Sequence, residues 1–351
     1  MKRSKICQKA HKFKQCALAV MILIVGAMIA SNVLAVLAQE ESTQNLSGPQ
    51  RQRLRQFIQR RRAQRGRSSG EGANSSRMGD GRFQSPSIDP AKVDARFNIP
   101  YGKDERQKLD LYIPKVLKAP APILVFVHGG GWRRGSKDLQ RSKGVSYAEN
   151  GIVTICTNYR LAPDVMHPKQ VEDVAAAVSW AKQHATEYGA NPERIFVMGH
   201  SAGAHLVDLL GTNDRFLKQY GLSLADIKGV ISLDTASLNL LERGKENTLE
   251  GNMVGDMIKQ AFGTDPEVLA DGSPTLSIKP GHRYPPFLMY CGERRVSCVA
   301  QHKSFETAMN RTAGASVVVK PVPLSHGDIS KIAGTNSTSM FKEILEFVKN
   351  E

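Results

Sequence analysis

Short apolar runs alternate with amphipathic stretches along the last three quarters of this 351-residue chain. Continuous apolar runs, such as those at 123–127 and 195–198, are typical of strands that are buried on both faces of a parallel sheet. Between such runs, apolar side chains recur at helical spacing, as at 171–178 and 341–348. The alternation predicts an α/β fold whose mostly parallel central sheet of about eight strands is flanked by helices. The strands are predicted near residues 95–99, 109–113, 123–128, 152–158, 195–199, 229–233, 287–291 and 316–322.

The amino-terminal 90 residues follow a different pattern. Residues 1–14 carry six Lys and Arg and no acid, and an apolar stretch at 16–38 ends in Val36-Leu37-Ala38. This arrangement predicts that residues 1–38 are an export signal cleaved after Ala38. The apolar stretch is long enough to span a bilayer, so an uncleaved membrane anchor at 16–38 is the alternative. In both cases the globular part is expected outside the cytoplasm, secreted or periplasmic in the first case and membrane-associated in the second.

Residues 39–90 are rich in Arg, Gln, Ser and Gly and poor in large apolar side chains. Such a segment buries too little apolar surface to offset its ordering entropy, so a disordered basic linker is predicted there. The globular domain then comprises residues 91–351. The net charge of +15 belongs mostly to the amino end, because residues 1–14 and 39–82 together supply twelve of it. The remaining charge near +3 does not indicate a nucleic-acid partner.

Two glycine-containing motifs stand directly after apolar runs. The downstream motif, GHSAG at 199–203, lies between a strand pattern and a helical pattern, which predicts that Ser201 occupies the sharp turn called a nucleophile elbow. The upstream motif, HGGGW at 128–132, also ends a strand pattern. Its Gly129 and Gly130, together with Ala202, are candidates to offer backbone N–H groups to a developing oxyanion. The pair predicts a serine hydrolase.

These two motifs resemble those of the α/β-hydrolase superfamily, in its carboxylesterase and feruloyl-esterase-like branch. NYRLAP at 158–163, QKLDLYIP at 107–114 and PPFL at 285–288 are similar to the same branch, so the resemblance covers about residues 95–350. It implies the α/β-hydrolase fold and ester hydrolysis through an acyl-enzyme, with no metal or organic cofactor. The substrate would be a small-molecule or polysaccharide-linked ester. Amide hydrolysis of the formamidase kind, and a binding protein on a degenerate hydrolase fold, remain alternatives.

A serine hydroxyl needs a histidine base and a carboxylate that orients the histidine. His326 follows the last strand pattern, which is where this fold places its catalytic histidine. The position at which the family usually carries Asp is Arg295 here. Glu293 in the same loop is slightly favoured as the acid, and Asp234 at the end of the sixth strand is the alternative. An acid-less dyad or a water-supported histidine is the third possibility.

Three cysteines, Cys156, Cys291 and Cys298, lie beyond the export segment. An odd number cannot all pair within one chain. Cys291 and Cys298 flank a short loop, and whether they form a disulfide is left open by the sequence.

Overall fold

The computed structural model describes residues 88–117, 119–243, 245, 249–312 and 316–350. The predicted export segment, and the predicted linker except for its last three residues, lie outside the described residues. Residues 88–92 lead through a turn into the first strand, with the Asp89 carbonyl accepting a hydrogen bond from the Val93 N–H.

Eight strands form one sheet in the order β1-β2-β4-β3-β5-β6-β7-β8. β2 is antiparallel to both of its neighbours, and the other five pairs of adjacent strands are parallel. The prediction of a mostly parallel sheet of about eight strands is therefore confirmed. The strands are β1 (Val93–Pro100), β2 (Lys108–Pro114), β3 (Ala121–Val127), β4 (Val153–Thr157), β5 (Ala190–His200), β6 (Ile227–Leu233), β7 (Phe287–Gly292) and β8 (Val317–Val322).

Helices connect the strands and cover both faces of the sheet. They are α1 (Arg141–Glu149), α2 (Lys169–His184), α3 (Ala202–Thr212), α4 (Arg215–Lys218), α5 (Leu240–Arg243), α6 (Leu249–Phe262), α7 (Pro266–Asp271), α8 (Val296–Met309), α9 (His326–Ile332) and α10 (Ser339–Asn350). Short 3-10 turns lie at Lys137–Gln140, Ala185–Tyr188, Leu224–Asp226 and Pro274–Ser277. None of the helices among the described residues is long and apolar enough to cross a membrane.

The core has two parts, one on each side of the sheet. All seven residues of β3 are buried, as expected of a central strand covered on both faces. The apolar stripe of α2, which includes Val171, Val174 and Val178, is fully buried against one face. Phe341, Ile344 and Val348 of α10 are buried on the other.

The strand order determines where a site forms. β3, β5, β6, β7 and β8 lie side by side and run in the same direction, so their carboxyl ends share one edge of the sheet. In open α/β sheets this edge is where ligands bind. The segment at 235–283, which has no clear strand pattern in the sequence, contains α5, α6, α7 and the 3-10 turn Pro274–Ser277 among its described residues.

Candidate active site

Ser201 lies at the turn between β5 and α3, with φ of 58° and ψ of −117°. A positive φ is strained for a residue with a side chain, and such strain is found where a fold must present one side chain sharply. The turn is tight enough to exclude β-carbons on either side. A Cβ on Gly199 would lie 2.2 Å from the Gly203 carbonyl oxygen, and one on Gly203 would lie 2.2 Å from that of Val127. The two glycines therefore allow the close strand-to-helix approach that the elbow requires.

The glycine-rich loop after β3 lies beside this elbow. A Cβ on Gly129 would lie 2.8 Å from the His200 carbonyl oxygen and 3.0 Å from the Ser201 Cβ. Gly130 has φ of 124° and lines the same cavity as Ser201. Ala202 is the first residue of α3, where backbone N–H groups have no intrahelical acceptor. The loop and the helix start thus place backbone N–H groups close to the serine, at the positively polarised end of a helix.

Two side chains of the upstream motif hold this loop in place. Trp132 is fully buried and packs edge-on against Phe262 of α6 and against His205 of α3. His128 is also buried, and its ring Nδ1 lies 2.8 Å from the Gly129 carbonyl oxygen. Burial lowers the pKa of His128 to about 4, so the ring is neutral at pH 7 and serves as a structural hydrogen-bond donor to the loop.

His326 is the first residue of α9, just past the end of β8, and its ring contacts a carboxylate. The Nδ1 atom lies 2.5 Å from Oδ2 of Asp234. Asp234 directly follows β6, and its backbone N–H continues the ladder by donating to the Tyr290 carbonyl. A carboxylate at Nδ1 selects the tautomer that leaves Nε2 free to accept a proton. His326 and Ser201 line one cavity.

Asp234 is completely buried yet held ionised. Burial opposes the charge, but the His326 hydrogen bond, the Arg295 guanidinium and the Gly292 N–H outweigh it and hold the pKa of Asp234 well below its usual value. The Gly292 N–H donates to Oδ1 at 2.9 Å. Asp234 also has a positive φ of 49°, a conformation that Asp tolerates better than most residues.

The structure reverses the preferred order of the two candidate acids. Glu293 is exposed, and its backbone N–H donates to the Val322 carbonyl, extending the pairing between β7 and β8. Among the hydrogen bonds of the described residues, His326 Nδ1 is bonded to Asp234 and not to Glu293. The slight preference for Glu293 is corrected because the loop after β7 turns that side chain to solvent, whereas Asp234 directly follows β6, the strand next to β5.

Sequence reasoning missed two residues that contact the Asp234–His326 pair, Arg295 and His200. Arg295 stands at the position where the family usually carries Asp. Its Nη1 atom lies 2.7 Å from Oδ2 of Asp234, so Arg295 forms an ion pair with the carboxylate that contacts His326. His200 Nε2 lies 2.9 Å from the His326 carbonyl oxygen, and the two rings are 4.5 Å apart. The Arg at 295 was itself the available signal, because a cation at this position points to a nearby carboxylate.

The cysteines Cys156, Cys291 and Cys298 are free and buried. The Cys298 thiol donates to Oδ1 of Asp234, with the sulfur 3.6 Å from the oxygen. Cys298 therefore helps to satisfy the buried carboxylate instead of forming a disulfide with Cys291.

A cavity of about 640 Å³ opens above Ser201 and His326. Its apolar wall is formed by α6 and by the end of the β8 segment, and the residues concerned are Met253, Val254, Met257, Pro323 and Leu324. Arg134, Arg294, Arg295 and Glu250 add charge to the lining. No group of three or more His, Cys, Asp or Glu side chains within the described part of the chain is placed to hold a metal ion.

A strained serine elbow, a histidine bonded to a carboxylate and a glycine-rich loop, all at one edge of this sheet, define an α/β-hydrolase. The chain belongs to the BD-FAE family, which it matches over residues 109–309.

Three further comparisons agree with that class. The chain is 31% identical to esterase LipC of Mycobacterium tuberculosis over 260 residues, which cover 70% of this chain and 62% of LipC. It is 28% identical over 249 residues to a probable isoprenylcysteine alpha-carbonyl methylesterase, ICMEL1, of Arabidopsis thaliana, covering 67% and 51% of the two chains. The crystal structure of esterase B from Lactobacillus rhamnosis superposes with a TM-score of 0.63 at 20% identity, covering 84% and 92%. The chain thus spans about half to three fifths of the length of these two sequence relatives.

Proposed function

We propose that this protein is an exported serine esterase that hydrolyses small carboxylic esters through an acyl-enzyme. The observation that carries the proposal is the 2.5 Å contact between His326 Nδ1 and Asp234, at the same sheet edge and cavity as the strained Ser201. The relatives named as esterases support the same class of reaction.

In the acylation step, His326 Nε2 takes the proton from the Ser201 hydroxyl as its oxygen attacks the ester carbonyl carbon. The carbonyl electron pair moves onto oxygen, and the N–H groups of Gly129, Gly130 and Ala202 stabilise this oxyanion. Asp234 stabilises the imidazolium that forms, without taking its proton. Collapse of the tetrahedral intermediate breaks the ester C–O bond, and His326 gives the proton to the leaving alcohol.

Deacylation repeats the sequence with water in place of the serine. His326 removes a proton from the water, the hydroxide adds to the acyl carbon, and the bond to Ser201 breaks as the proton returns to its oxygen. The products are the free carboxylic acid and the resting enzyme. Every proton and electron pair is thus transferred between the substrate, water, Ser201 and His326.

The cavity lining indicates which part of a substrate is recognised. Met253, Val254 and Met257 of α6 form an apolar wall, and Met257 approaches the backbone at Gly131. An aliphatic or aryl acyl group of modest size would bury its surface there, at about 25 cal/mol per Å² of apolar area removed from water. A polysaccharide-linked ester would have to bind with its sugar portion outside this wall.

The test is covalent labelling followed by a substrate panel. A fluorophosphonate probe should label the full-length protein, and peptide mapping should place the adduct on Ser201. Ser201→Ala should abolish labelling and reduce turnover of p-nitrophenyl esters by at least about 10⁴-fold. A panel of p-nitrophenyl esters, aryl-polysaccharide esters and formyl amides then identifies the substrate class. Absence of labelling, with the fold intact by circular dichroism, would favour a binding protein.

A further inference from the structure

Arg295 contacts the same carboxylate oxygen as the proposed catalytic histidine. Its Nη1 atom lies 2.7 Å from Oδ2 of Asp234, and His326 Nδ1 lies 2.5 Å from that oxygen. Nη1 and Nδ1 are 3.5 Å apart. Both nitrogens carry hydrogen in the tautomer described above, so their contact is not a hydrogen bond and the guanidinium charge acts directly on the ring.

Arg295 is itself held from the opposite side by a second carboxylate. Its Nε donates to Oε1 of Glu250 on α6 at 2.9 Å, and the same oxygen accepts from Nη2 of buried Arg243 at 2.7 Å. A chain of alternating charges therefore runs from Asp234 through Arg295 to Glu250, and Glu250 also lines the substrate cavity. Arg295 is only 15% exposed, so its charge is weakly screened by solvent.

Among the described groups around His326, Arg295 is the cation that contacts the ring and its carboxylate. Lys143 is also buried nearby, but its ammonium group is bonded to Ser330 of α9. Burial and the neighbouring His326 lower the pKa of His200 to about 3, so that ring is uncharged in the working range. Burial raises the pKa of the Cys298 thiol well above its usual value, so it too is neutral. Asp328 on α9 is bonded to Ser325, and Arg294 lines the cavity but is exposed.

We propose that Arg295 is a positioning residue that sets the pH at which His326 becomes an active base, and that Glu250 moderates its effect. The inference rests on the proposed function, because it assigns His326 that role. Arg295 neutralises part of the Asp234 charge that would otherwise stabilise the imidazolium, and it repels the imidazolium directly. Both effects disfavour the imidazolium relative to the arrangement that Asp234 alone would give.

Two variants that remove charges of opposite sign test this proposal. The measured quantity is the acidic midpoint of kcat/KM, which is the pH at which kcat/KM falls to half its maximum as the base of the free enzyme becomes protonated. Arg295→Gln removes the cation, so the acidic midpoint should rise by about one pH unit. Glu250→Gln removes the moderating anion, so the midpoint should fall, by roughly half a unit because Glu250 is partly exposed. Arg295→Lys keeps the charge and should return the midpoint toward that of the wild type.

Arg311→Gln is the matched control, because it removes one exposed arginine charge just past the far end of α8. Its midpoint should equal that of the wild type. A merely structural role for Arg295 would lower kcat in Arg295→Gln and leave the midpoint where it was, and that result overturns the proposal. Shifts of the same sign in Arg295→Gln and Glu250→Gln overturn it as well.

A measurement without turnover keeps the two proposals separate. In the Ser201→Ala background, the His326 ring signal can be titrated by NMR with and without Arg295→Gln. The substitution should raise the titration midpoint by about one pH unit. An unmoved midpoint refutes the role of Arg295 whether or not the enzyme cleaves esters, whereas failure of the wild type to cleave any ester refutes only the proposed function.

Discussion

At the residue scale, the site depends on the hydrogen-bond and ion-pair partners of one buried carboxylate. Asp234 has no exposed surface and accepts from His326, Arg295, the Gly292 N–H and the Cys298 thiol. A buried charge is tolerated only when it is paired and hydrogen-bonded, and these four partners meet that requirement. The same partners fix the direction of the carboxylate, and with it the orientation of the histidine ring.

The choice between the two candidate acids is tested by a pair of isosteric amides. Asp234→Asn should lower turnover by up to about four orders of magnitude, because an amide supports the wrong histidine tautomer. Glu293→Gln should stay within about twofold of the wild type, because the Glu293 side chain is exposed. Both are measured by kcat on the best ester of the panel, with circular dichroism to check the fold. A collapse of Glu293→Gln with full activity of Asp234→Asn would contradict the arrangement described here.

At the element scale, Ser201 is presented by the packing of α3 against β3 and β5. The helix can approach the strands this closely because Gly199 and Gly203 have no side chains, and their hypothetical β-carbons would meet backbone atoms at 2.2 Å. Backbone atoms cannot move aside as a flexible side chain can. The elbow is therefore intolerant of even one added methyl group.

Two glycine-to-alanine variants in helices separate this constraint from helix propensity. Gly203→Ala in α3 should lower the free energy of unfolding by about 3 kcal/mol or more, because the methyl group collides with the Val127 carbonyl. Gly255→Ala in α6 should raise it by up to about 1 kcal/mol, because its Cβ has nothing within 4 Å and alanine is the better helix former. Urea unfolding measures both. Equal effects of the two substitutions would refute the close-approach argument.

At the scale of the whole molecule, three buried or partly buried histidines make the fold sensitive to acid. Burial lowers the pKa of His128 to about 4 and the pKa values of His200 and His205 to about 3. In the unfolded chain each of these three rings would have a pKa of about 6.5. Below that pH the unfolded state binds more protons than the native state at these three rings. Asp208 opposes them, because burial raises its pKa to about 8 and it loses a proton on unfolding.

Over these four groups the net difference approaches about two protons between pH 6 and pH 4, so together they should lower the free energy of unfolding by roughly 3 kcal/mol for each unit of acidification. Stability is gained as pH rises through this window, because the unfolded state binds the excess protons. His205→Gln should reduce the slope by about 1.4 kcal/mol per pH unit. Urea unfolding at pH 6, 5 and 4 measures both slopes. A variant slope equal to that of the wild type would show that His205 does not contribute.

The proposed export concerns the whole chain, and its test addresses the segment outside the described residues. If residues 1–38 are a cleaved signal, the mature protein recovered from a secreted or periplasmic fraction should begin at Gln39. Amino-terminal sequencing of that material gives the answer. A protein that is retained in membranes with Met1 intact would instead favour the anchor at 16–38.

Local sequence patterns were enough to predict the strands and the elbow. A buried strand needs a continuous apolar run, and a tight strand-to-helix turn needs glycines around the serine, so both requirements are met within a few neighbouring residues. Each of the eight predicted strands overlaps an observed one. His326 was proposed in the same way, from its place after the last strand, and in the structure it begins the helix that follows β8.

The partner of His326 was decided only by the tertiary structure. Asp234 and Glu293 follow adjacent strands, and their positions in the chain do not show which side chain points inward. That direction depends on the backbone conformation at Asp234, on the Gly292 N–H from the neighbouring strand and on the cation at Arg295. These contacts join residues about 60 positions apart, so only the assembled sheet brings them together and makes the buried charge stable.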